Sequence, residues 1–527
     1  MSAEINRQKT IFNQFFLSRL ILILLGTIIA QYVYVIIQYP FFSFSDEAEF
    51  MPYLLNEGGY PWRYFPEYGR CYCLSLLEYF PVAAADIFSI KEKMFLMYCI
   101  NSIKIGLIVY LTKCCFNKFS SEIAAFIGTC VFMALFIKFG IFTTIITLTY
   151  PEFSLTLLLI LFLLLYLQGV ETDSAACWIS AICMAFLSLF FKETAFAIFL
   201  IFGMARIILS HKTLSRRELR TDIFLIVLPV CYLLFFYVAV YSPKTKVFYD
   251  GLDRSFIHNL LIISKTNIIF IPSVITFVVR FVLVFFMKKS ACIFDVFMAV
   301  SVFYVFPFAY MGLAASYYFS PSLFFFVAGA VGLVARYGPK LKFPYGSMCL
   351  GSIALCVSLI MANFYYVEYK SEQQTWKKIT IELLSTIDKL SEDCVELKFF
   401  VDDALLSSGN IFLHSVSMWF YETLNIYENF YYNRKNSINL LTKIEDVYNE
   451  NRKSVVFYYD QGGLWKPPVD NDFVVLDFVF VQALVKKEFT QYFYDIYKEF
   501  HNVSRDRGIR PLNLNKVKFS FSELKNQ

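Results

Sequence analysis

The chain is 527 residues long, and 58% of its residues are hydrophobic while 17% carry charge. Soluble domains average roughly 45–50% apolar and about 25% charged residues, so the composition excludes an ordinary water-soluble protein. The formal net charge is only +5, and no basic block suited to nucleic acid occurs. We therefore predict an α-helical polytopic membrane protein with no nucleic-acid partner.

The apolar runs set the predicted helices, because a helix of about 20 residues crosses a hydrocarbon core of about 30 Å. The first run, 20–37, exceeds the 7–15 apolar residues of a signal peptide and lacks a small-residue cleavage pattern after it. It is predicted to be a retained first helix. About eleven membrane helices are predicted near residues 17–38, 95–113, 123–138, 152–168, 177–191, 195–209, 223–241, 273–287, 293–310, 321–335 and 346–366. The pair 177–191 and 195–209 could instead form one re-entrant hairpin.

The basic residues of the loops predict the orientation of these helices. Alternate loops hold Lys113 and Lys118, then Lys212, Arg216, Arg217 and Arg220, then Lys288 and Lys289, then Arg336, Lys340 and Lys342. The positive-inside rule assigns this set to the cytoplasm. Because successive loops alternate between the two faces, the amino terminus is predicted to be cytoplasmic. The other loops and the carboxyl terminus are predicted to be extracytoplasmic.

The tail after residue 366 has a different composition from the spans before it. Strand-like runs occur at 455–459 and 473–480, and helix-like stretches occur at 377–390 and 486–500. The sequence thus predicts a transmembrane domain over 1–366, with an extracytoplasmic first loop at 39–94, and an extracytoplasmic α+β domain over 367–527.

Cysteine and histidine usage gives no sign of a metal centre. Most of the thirteen cysteines lie inside apolar runs, where they behave as small buried hydrophobes rather than as a disulfide framework. The four histidines are scattered without ligand spacing, so a zinc site is not expected.

Acids and arginines are concentrated in the first outer loop. Asp46 and Glu47 follow the first helix directly, and Arg63 and Arg70 come within 25 residues of them. Carboxylates that are partly dehydrated at a bilayer surface can act as general bases, and arginines offer paired donors to a phosphate. A solvated loop with surface ion pairs is the plainer alternative.

Two further charged positions lie at the predicted outer ends of later helices. Glu152 follows Pro151 at the start of a long apolar helix, which is also ordinary helix-start chemistry. Lys192 and Glu193 interrupt apolar helix on both sides, and ionisable residues at membrane depth are functional candidates by default. A surface turn with a snorkelling lysine would explain the same pair.

The most isolated charge of the bundle is Arg280, which should face the bundle, a lipid head group or an acid such as Asp295. An anionic lipid phosphate is the preferred partner. Lys244 and Lys246 could hold a phosphate at the surface or merely solvate their loop. Tyr317, in the outer segment YYFSPS, fits an interfacial aromatic belt, although tyrosines also stack on sugars.

This layout resembles the C superfamily of polyprenol-linked glycosyltransferases. Members have about eleven or more helices, an acidic motif in the first outer loop, a second acid in the next outer loop and often a carboxyl-terminal outer domain. Asp46 and Glu47 match the first acidic position, Glu152 resembles the second, and YYFSPS looks like the aromatic-proline loop of many members. The size and the Phe- and Tyr-rich composition look like the bacterial and phage serotype-converting glucosyltransferases, which decorate O-antigen outside the inner membrane.

The resemblance implies an inverting transfer of a sugar, with glucose as the first candidate, from a polyprenyl-phosphate donor to a glycan or lipid-linked oligosaccharide acceptor. Asp46 would be the base, Glu47 an alternate base and Glu152 an orienting group. The implied substrate-binding set is Arg63, Arg70, Lys192, Glu193, Lys244, Lys246, Arg280 and Tyr317. The first loop lacks a clean Asp-X-Asp motif and the tail lacks a Trp-Trp-Asp motif. No cofactor is therefore assigned, and a divalent metal remains an option.

Two rival functions that act on lipid-linked sugars stay open at this point. A third possibility is a membrane scaffold without chemistry, for which Asp46, Glu47 and Glu152 would be dispensable. An O-antigen polymerase or ligase usually carries its large outer loops between late helices, whereas here the largest outer mass is terminal. A transporter or flippase of lipid-linked sugar tends to show two related halves, and no half-repeat is visible here.

Overall fold

The computed structural model describes residues 2–38, 90–137, 141, 151–210, 214–240, 255–311, 316–338 and 349–370, short stretches between 64 and 89, and four strands after residue 395. The chain divides into two compact units. The first comprises Met1–Ile37, Gly59–Ala85 and Met94–Val367, and the second comprises Gln38–Gly58, Asp86–Lys93 and Glu368–Gln527.

Helices account for most of the described residues. In chain order they are α1 (Ser2–Gln38), α2 (Ile90–Asn117), α3 (Glu122–Phe136), α4 (Pro151–Thr172), α5 (Ala175–Phe191), α6 (Ala195–Ser210), α7 (Arg216–Phe235), α8 (Phe256–Thr266), α9 (Phe270–Phe281), α10 (Ile293–Phe303), α11 (Val305–Met311), α12 (Ser320–Tyr337) and α13 (Cys349–Lys370). Wider π-helical turns extend α7 to Val240 and α9 to Phe286.

Seven spans among the described residues are long and apolar enough to cross a membrane: six single helices (α1, α2, α4, α7, α12 and α13), and α10 with α11 as one span. The number is eight if α8 and α9, which bend by 109° relative to each other, form one further span. Helices α3, α5 and α6 are apolar but only 15, 17 and 16 residues long. Each of the eleven predicted segments overlaps a helix. The prediction of a mostly helical chain is confirmed, and its seven or eight apolar, membrane-length helices are compatible with a multi-pass membrane protein.

The break between α5 and α6 is the feature that positions the candidate site. Helix α5 ends at Phe191, and Lys192 adopts an extended conformation (φ −153°, ψ 128°) that takes the chain out of the helix. The backbone N–H groups of Ala195 and Phe196 then bond back to the carbonyls of Lys192 and Glu193, which starts α6. The 177–209 region is therefore two helices joined by a tight turn.

The interior of the first unit is built from aromatic rings and small polar contacts. The rings of Phe132 and Phe136 stack, and Phe136 stacks in turn on Phe153. Three buried serines, Ser273 of α9, Ser301 of α10 and Ser322 of α12, link their helices through Oγ atoms 3.1 and 3.2 Å apart. Close packing and interhelical hydrogen bonds are what hold helices together in lipid, where apolar burial gives no driving force between them.

Charged side chains of the described bundle gather at two opposite ends. Along α10, Asp295 at one end and Tyr304 just past the other are nine residues apart, or about 13 Å at 1.5 Å per residue. We call the end that holds Glu152, Lys192 and Tyr304 the Glu152 end. The opposite end, with Arg280 and Asp295, is the Arg280 end.

The described part of the second unit includes a parallel sheet of four strands. They are β3 (Glu396–Val401), β4 (Ile438–Leu441), β5 (Ser454–Tyr459) and β6 (Phe473–Asp477), in the order β4-β3-β5-β6. Strand β5 aligns Ser454 with Glu396 of β3 and with Phe473 of β6. The two predicted strands are present, whereas the two predicted tail helices lie outside the described residues. In the first unit, β1 (Tyr64–Phe65) and β2 (Arg70–Cys71) form a short antiparallel pair.

Candidate functional site

A buried ion pair joins Glu152 and Lys192, two residues that the sequence singled out separately. Glu152 lies in the first turn of α4, and Lys192 lies in the α5–α6 break. Lys192 Nζ is 2.9 Å from Glu152 Oε1, and the two side chains are 10% and 2% exposed. A carboxylate at bilayer depth needs a nearby positive charge, which Lys192 supplies. The positive, amino-terminal end of the α4 dipole stabilises the carboxylate further.

Hydroxyl and aromatic groups surround this pair. Thr194 Oγ1 lies 3.2 Å from the hydroxyl of Tyr304, which is fully buried. Lys192 Nζ lies 5.3 Å from the ring centre of Tyr318, and Tyr318 stacks on Phe308. Side chains of α4, of Tyr304 between α10 and α11, and of the turn before α12 thus converge on the α5–α6 break.

A second buried lysine contacts the first turn of α4. Lys104 of α2 places Nζ 3.2 Å from Ser154 Oγ and 5.0 Å from the ring centre of Phe153. Lys104 was not among the predicted site residues. A signal was present, because this lysine interrupts the apolar run of α2, and a charge inside a span is a functional candidate.

One carboxylate oxygen of the pair has no hydrogen-bond partner in the described part of the chain. Within the described residues, Glu152 Oε2 is buried and accepts no hydrogen bond. An unsatisfied buried carboxylate oxygen is costly, and in native proteins it calls for a specific explanation. Ammonium groups beside such an oxygen can hold a phosphate while the carboxylate orients a hydroxyl.

Part of the 39–94 segment reaches the same end of the bundle. The backbone N–H of Leu74 donates to the carbonyl of Phe190, 2.9 Å away and two residues before Lys192. Strand β2, which contains Arg70, lies beside the π-helical turn at the end of α7. The structure describes the backbone of Arg70 and not its side chain.

The remaining predicted site residues fall into three groups. Glu193 is half-buried in the turn beside Lys192, and Tyr317 belongs to the short 3-10 turn Ser316–Phe319, where only its backbone is described. Five predicted residues lie outside the described residues: Asp46, Glu47, Arg63, Lys244 and Lys246.

Arg280 lies apart from this group, at the Arg280 end. Its Nε and Nη2 atoms reach the two oxygens of Asp295 at 2.6 and 2.9 Å, and its guanidinium stacks over Tyr337 at 4.8 Å. The sequence allowed three partners for Arg280, and the structure supplies the acid rather than the preferred lipid phosphate. Arg280 therefore does not join Glu152 and Lys192.

Sequence reasoning also missed a buried cluster at the Arg280 end. Arg206 of α6 pairs with Glu218 at 2.9 Å and donates to the hydroxyl of Tyr166 at 3.0 Å, and that hydroxyl donates to Asp222 at 2.6 Å. The signal was the lone Arg206 in an otherwise apolar helix. The network holds α4, α6 and α7 together.

Two findings bear on cofactors and relatives. Within the described ranges, no group of three or more His, Cys, Asp or Glu side chains could hold a metal ion. Comparison with protein-family models gives no match. A search of curated proteins likewise finds no match, so the function has to be argued from the site.

Proposed function

We propose that the chain is an inverting membrane glycosyltransferase of the C superfamily. It would move a sugar, with glucose as the first candidate, from a polyprenyl-phosphate carrier to a glycan such as O-antigen at the periplasmic face of a bacterial inner membrane. The single observation that carries this proposal is the buried Glu152–Lys192 pair with its unsatisfied carboxylate oxygen.

The topology that goes with this function has eleven spans. A helix of 16 residues is about 24 Å long, which is short of a 30 Å core. Short spans are accommodated by local thinning of the bilayer and by packing on neighbours, and α5 and α6 pack on α4 and α7. With all eleven helices crossing, the Glu152 end faces the periplasm, and the basic loops face the cytoplasm as the positive-inside rule requires.

The proposed reaction is a single displacement at the anomeric carbon of the donor sugar. Asp46, or Glu47 in its place, takes the proton of the acceptor hydroxyl while that oxygen attacks the anomeric carbon. The bond between the anomeric carbon and the carrier phosphate breaks, its electrons leave with the phosphate, and the anomeric configuration inverts. Lys192 stabilises the charge that develops on the phosphate.

The remaining residues support this displacement. Glu152 keeps Lys192 in place and orients the acceptor with its free oxygen, and Lys104 adds a second ammonium at the same helix start. Arg63 and Arg70 of the first loop are further phosphate contacts.

Radiolabelled sugar transfer tests the proposal. Membranes holding the wild type, Asp46→Asn, Glu47→Gln or Glu152→Gln at matched expression are supplied with polyprenyl-phosphate sugars. Loss of a general base is expected to lower transfer by about 10²–10⁴-fold. Asp173→Asn is the matched control, because Asp173 is an exposed acid paired with Arg217 away from the site. Transfer that survives all three site variants would overturn the residue assignments.

One observation favours a transporter as the second candidate. Helices α8 and α9 are bent by 109°, and discontinuous helices are common in transporters. A transporter would move the lipid-linked sugar across vesicle membranes without forming a glycosidic bond. Absence of transfer from every donor, together with such movement, would select this function. A polymerase or ligase would instead require a diphosphate-linked oligosaccharide donor.

A further inference from the structure

The exposed face of helix α8 has two sectors, one apolar and one basic. At 100° per residue, Ile257 and Leu261 lie side by side on the face opposite the buried Asn259 and Ile263, and both are more than half exposed. His258 and Lys265 continue that exposed face on one flank. An apolar sector that adjoins a basic sector is the pattern of a helix lying at the boundary between acyl chains and head groups.

The orientation of α8 fits this pattern. Its axis is turned 109° from that of α9, so α8 lies within about 20° of the membrane plane when α9 stands along the normal. Ser255 starts α8 by accepting a hydrogen bond from the N–H of His258, and Asn267 ends it. Helix α8 is thus a complete helix rather than a frayed extension of α9.

A chain of contacts links α8 to the Glu152 end. Asn259 Nδ2 donates to the carbonyl of Ala309 at 2.8 Å, and the ring of Phe256 packs edge-on against Phe306. Both partners belong to α11. On the same short helix Phe308 stacks on Tyr318, whose ring lies beside the Lys192 ammonium.

We propose that α8 is an interfacial helix that docks the polyisoprenyl phosphate carrier before its head reaches Lys192. Ile257 and Leu261 contact the isoprenoid chain, and Lys265 and His258 face the phosphate. The identity of the lipid rests on the proposed function, whereas the site itself rests on the face of α8 and on its continuity with the Glu152 end.

Photocrosslinking in vesicles tests the docking surface without any sugar transfer. The full chain, with a benzophenone amino acid at Leu261, is reconstituted in phosphatidylcholine and phosphatidylglycerol with a small fraction of undecaprenyl phosphate. The probe is expected to capture undecaprenyl phosphate well above its share of the lipid. The same probe at the buried Ile263 is the positional control, and it should give crosslinks within the protein.

Charge substitutions separate specific docking from simple contact with the bilayer. Lys265→Gln should lower the enrichment about fivefold, the equivalent of about 1 kcal/mol for one lysine near an anionic lipid. Lys289→Gln, an exposed lysine beyond α9, should leave it unchanged. Capture in proportion to lipid abundance, preferential capture of phosphatidylglycerol, or no lipid adduct at Leu261 would each overturn the proposal.

The outcome is distinguishable from that of the proposed function. Enrichment without sugar transfer would keep the lipid site and favour the transporter. Transfer without enrichment would keep the glycosyltransferase and remove α8 from carrier binding.

Discussion

Replacing Lys192 by methionine removes the ammonium that faces Glu152 while keeping much of the side-chain volume. The pair is 2.9 Å apart and almost wholly enclosed. At this separation the attraction is about 6 kcal/mol for an effective dielectric constant of about 20. Burying two charges costs several kcal/mol each, so the intact pair contributes little net stability.

The single variant is different, because it leaves the Glu152 carboxylate buried without its counter-ion. Removing one partner of a buried pair costs about 3–5 kcal/mol, and Lys192→Met is expected to destabilise the chain by that amount. The double variant Glu152→Gln/Lys192→Met removes both charges and should be more stable than the single variant.

Equilibrium unfolding in mixed micelles of a mild detergent and dodecyl sulfate measures these differences. Arg217→Gln is the matched control, since the Arg217–Asp173 pair is more than half exposed and should contribute less than about 1 kcal/mol. A loss below about 1 kcal/mol for Lys192→Met, or a double variant as unstable as the sum of the two single variants, would refute the reasoning.

Three more substitutions test other parts of the bundle in the same unfolding assay. Arg280→Lys keeps the charge but loses the two-pronged bond to Asp295, so we expect a loss of about 1–3 kcal/mol; an unchanged stability would show that charge alone suffices. Gly169→Ala would bring Cβ to 2.9 Å from the Trp178 ring and should cost about 1–3 kcal/mol, whereas Gly106→Ala meets nothing within 4 Å and should gain up to about 1 kcal/mol. Equal effects of the two alanines would contradict the packing argument.

Hydropathy was enough to predict the helices, because a membrane-spanning helix must be apolar over most of its length. This requirement does not depend on which helices pack beside it. It was less informative about their ends. Helix α1 begins at Ser2 rather than near residue 17, since the polar segment before the apolar run is helical as well. The length of α5 and α6 also cannot decide by itself whether each one crosses.

The site was only half predictable for a different reason. Glu152 and Lys192 stood out as charges beside apolar helix, but their pairing joins positions 40 residues apart and depends on how α4 packs against the α5–α6 break. The pairing of Arg280 with Asp295 was one of three options, and the sequence favoured a lipid phosphate instead, because the packing of α9 against α10 cannot be read from composition. Lys104 and Arg206 each interrupt an apolar helix. Their roles became visible only from their contacts with residues of other helices.

The three linked serines also constrain the order in which the bundle assembles. Ser273 and Ser301 belong to the consecutive helices α9 and α10, so their contact can form as soon as this hairpin is inserted. Ser322 then donates to the carbonyl of Ser301 at 2.7 Å, and Ser301 lies 3.0 Å from the carbonyl of Ser322. These two bonds require α12, which is synthesised later. The α9–α10 hairpin therefore acts as a template on which Ser301 selects the register of α12, the helix that arrives after it.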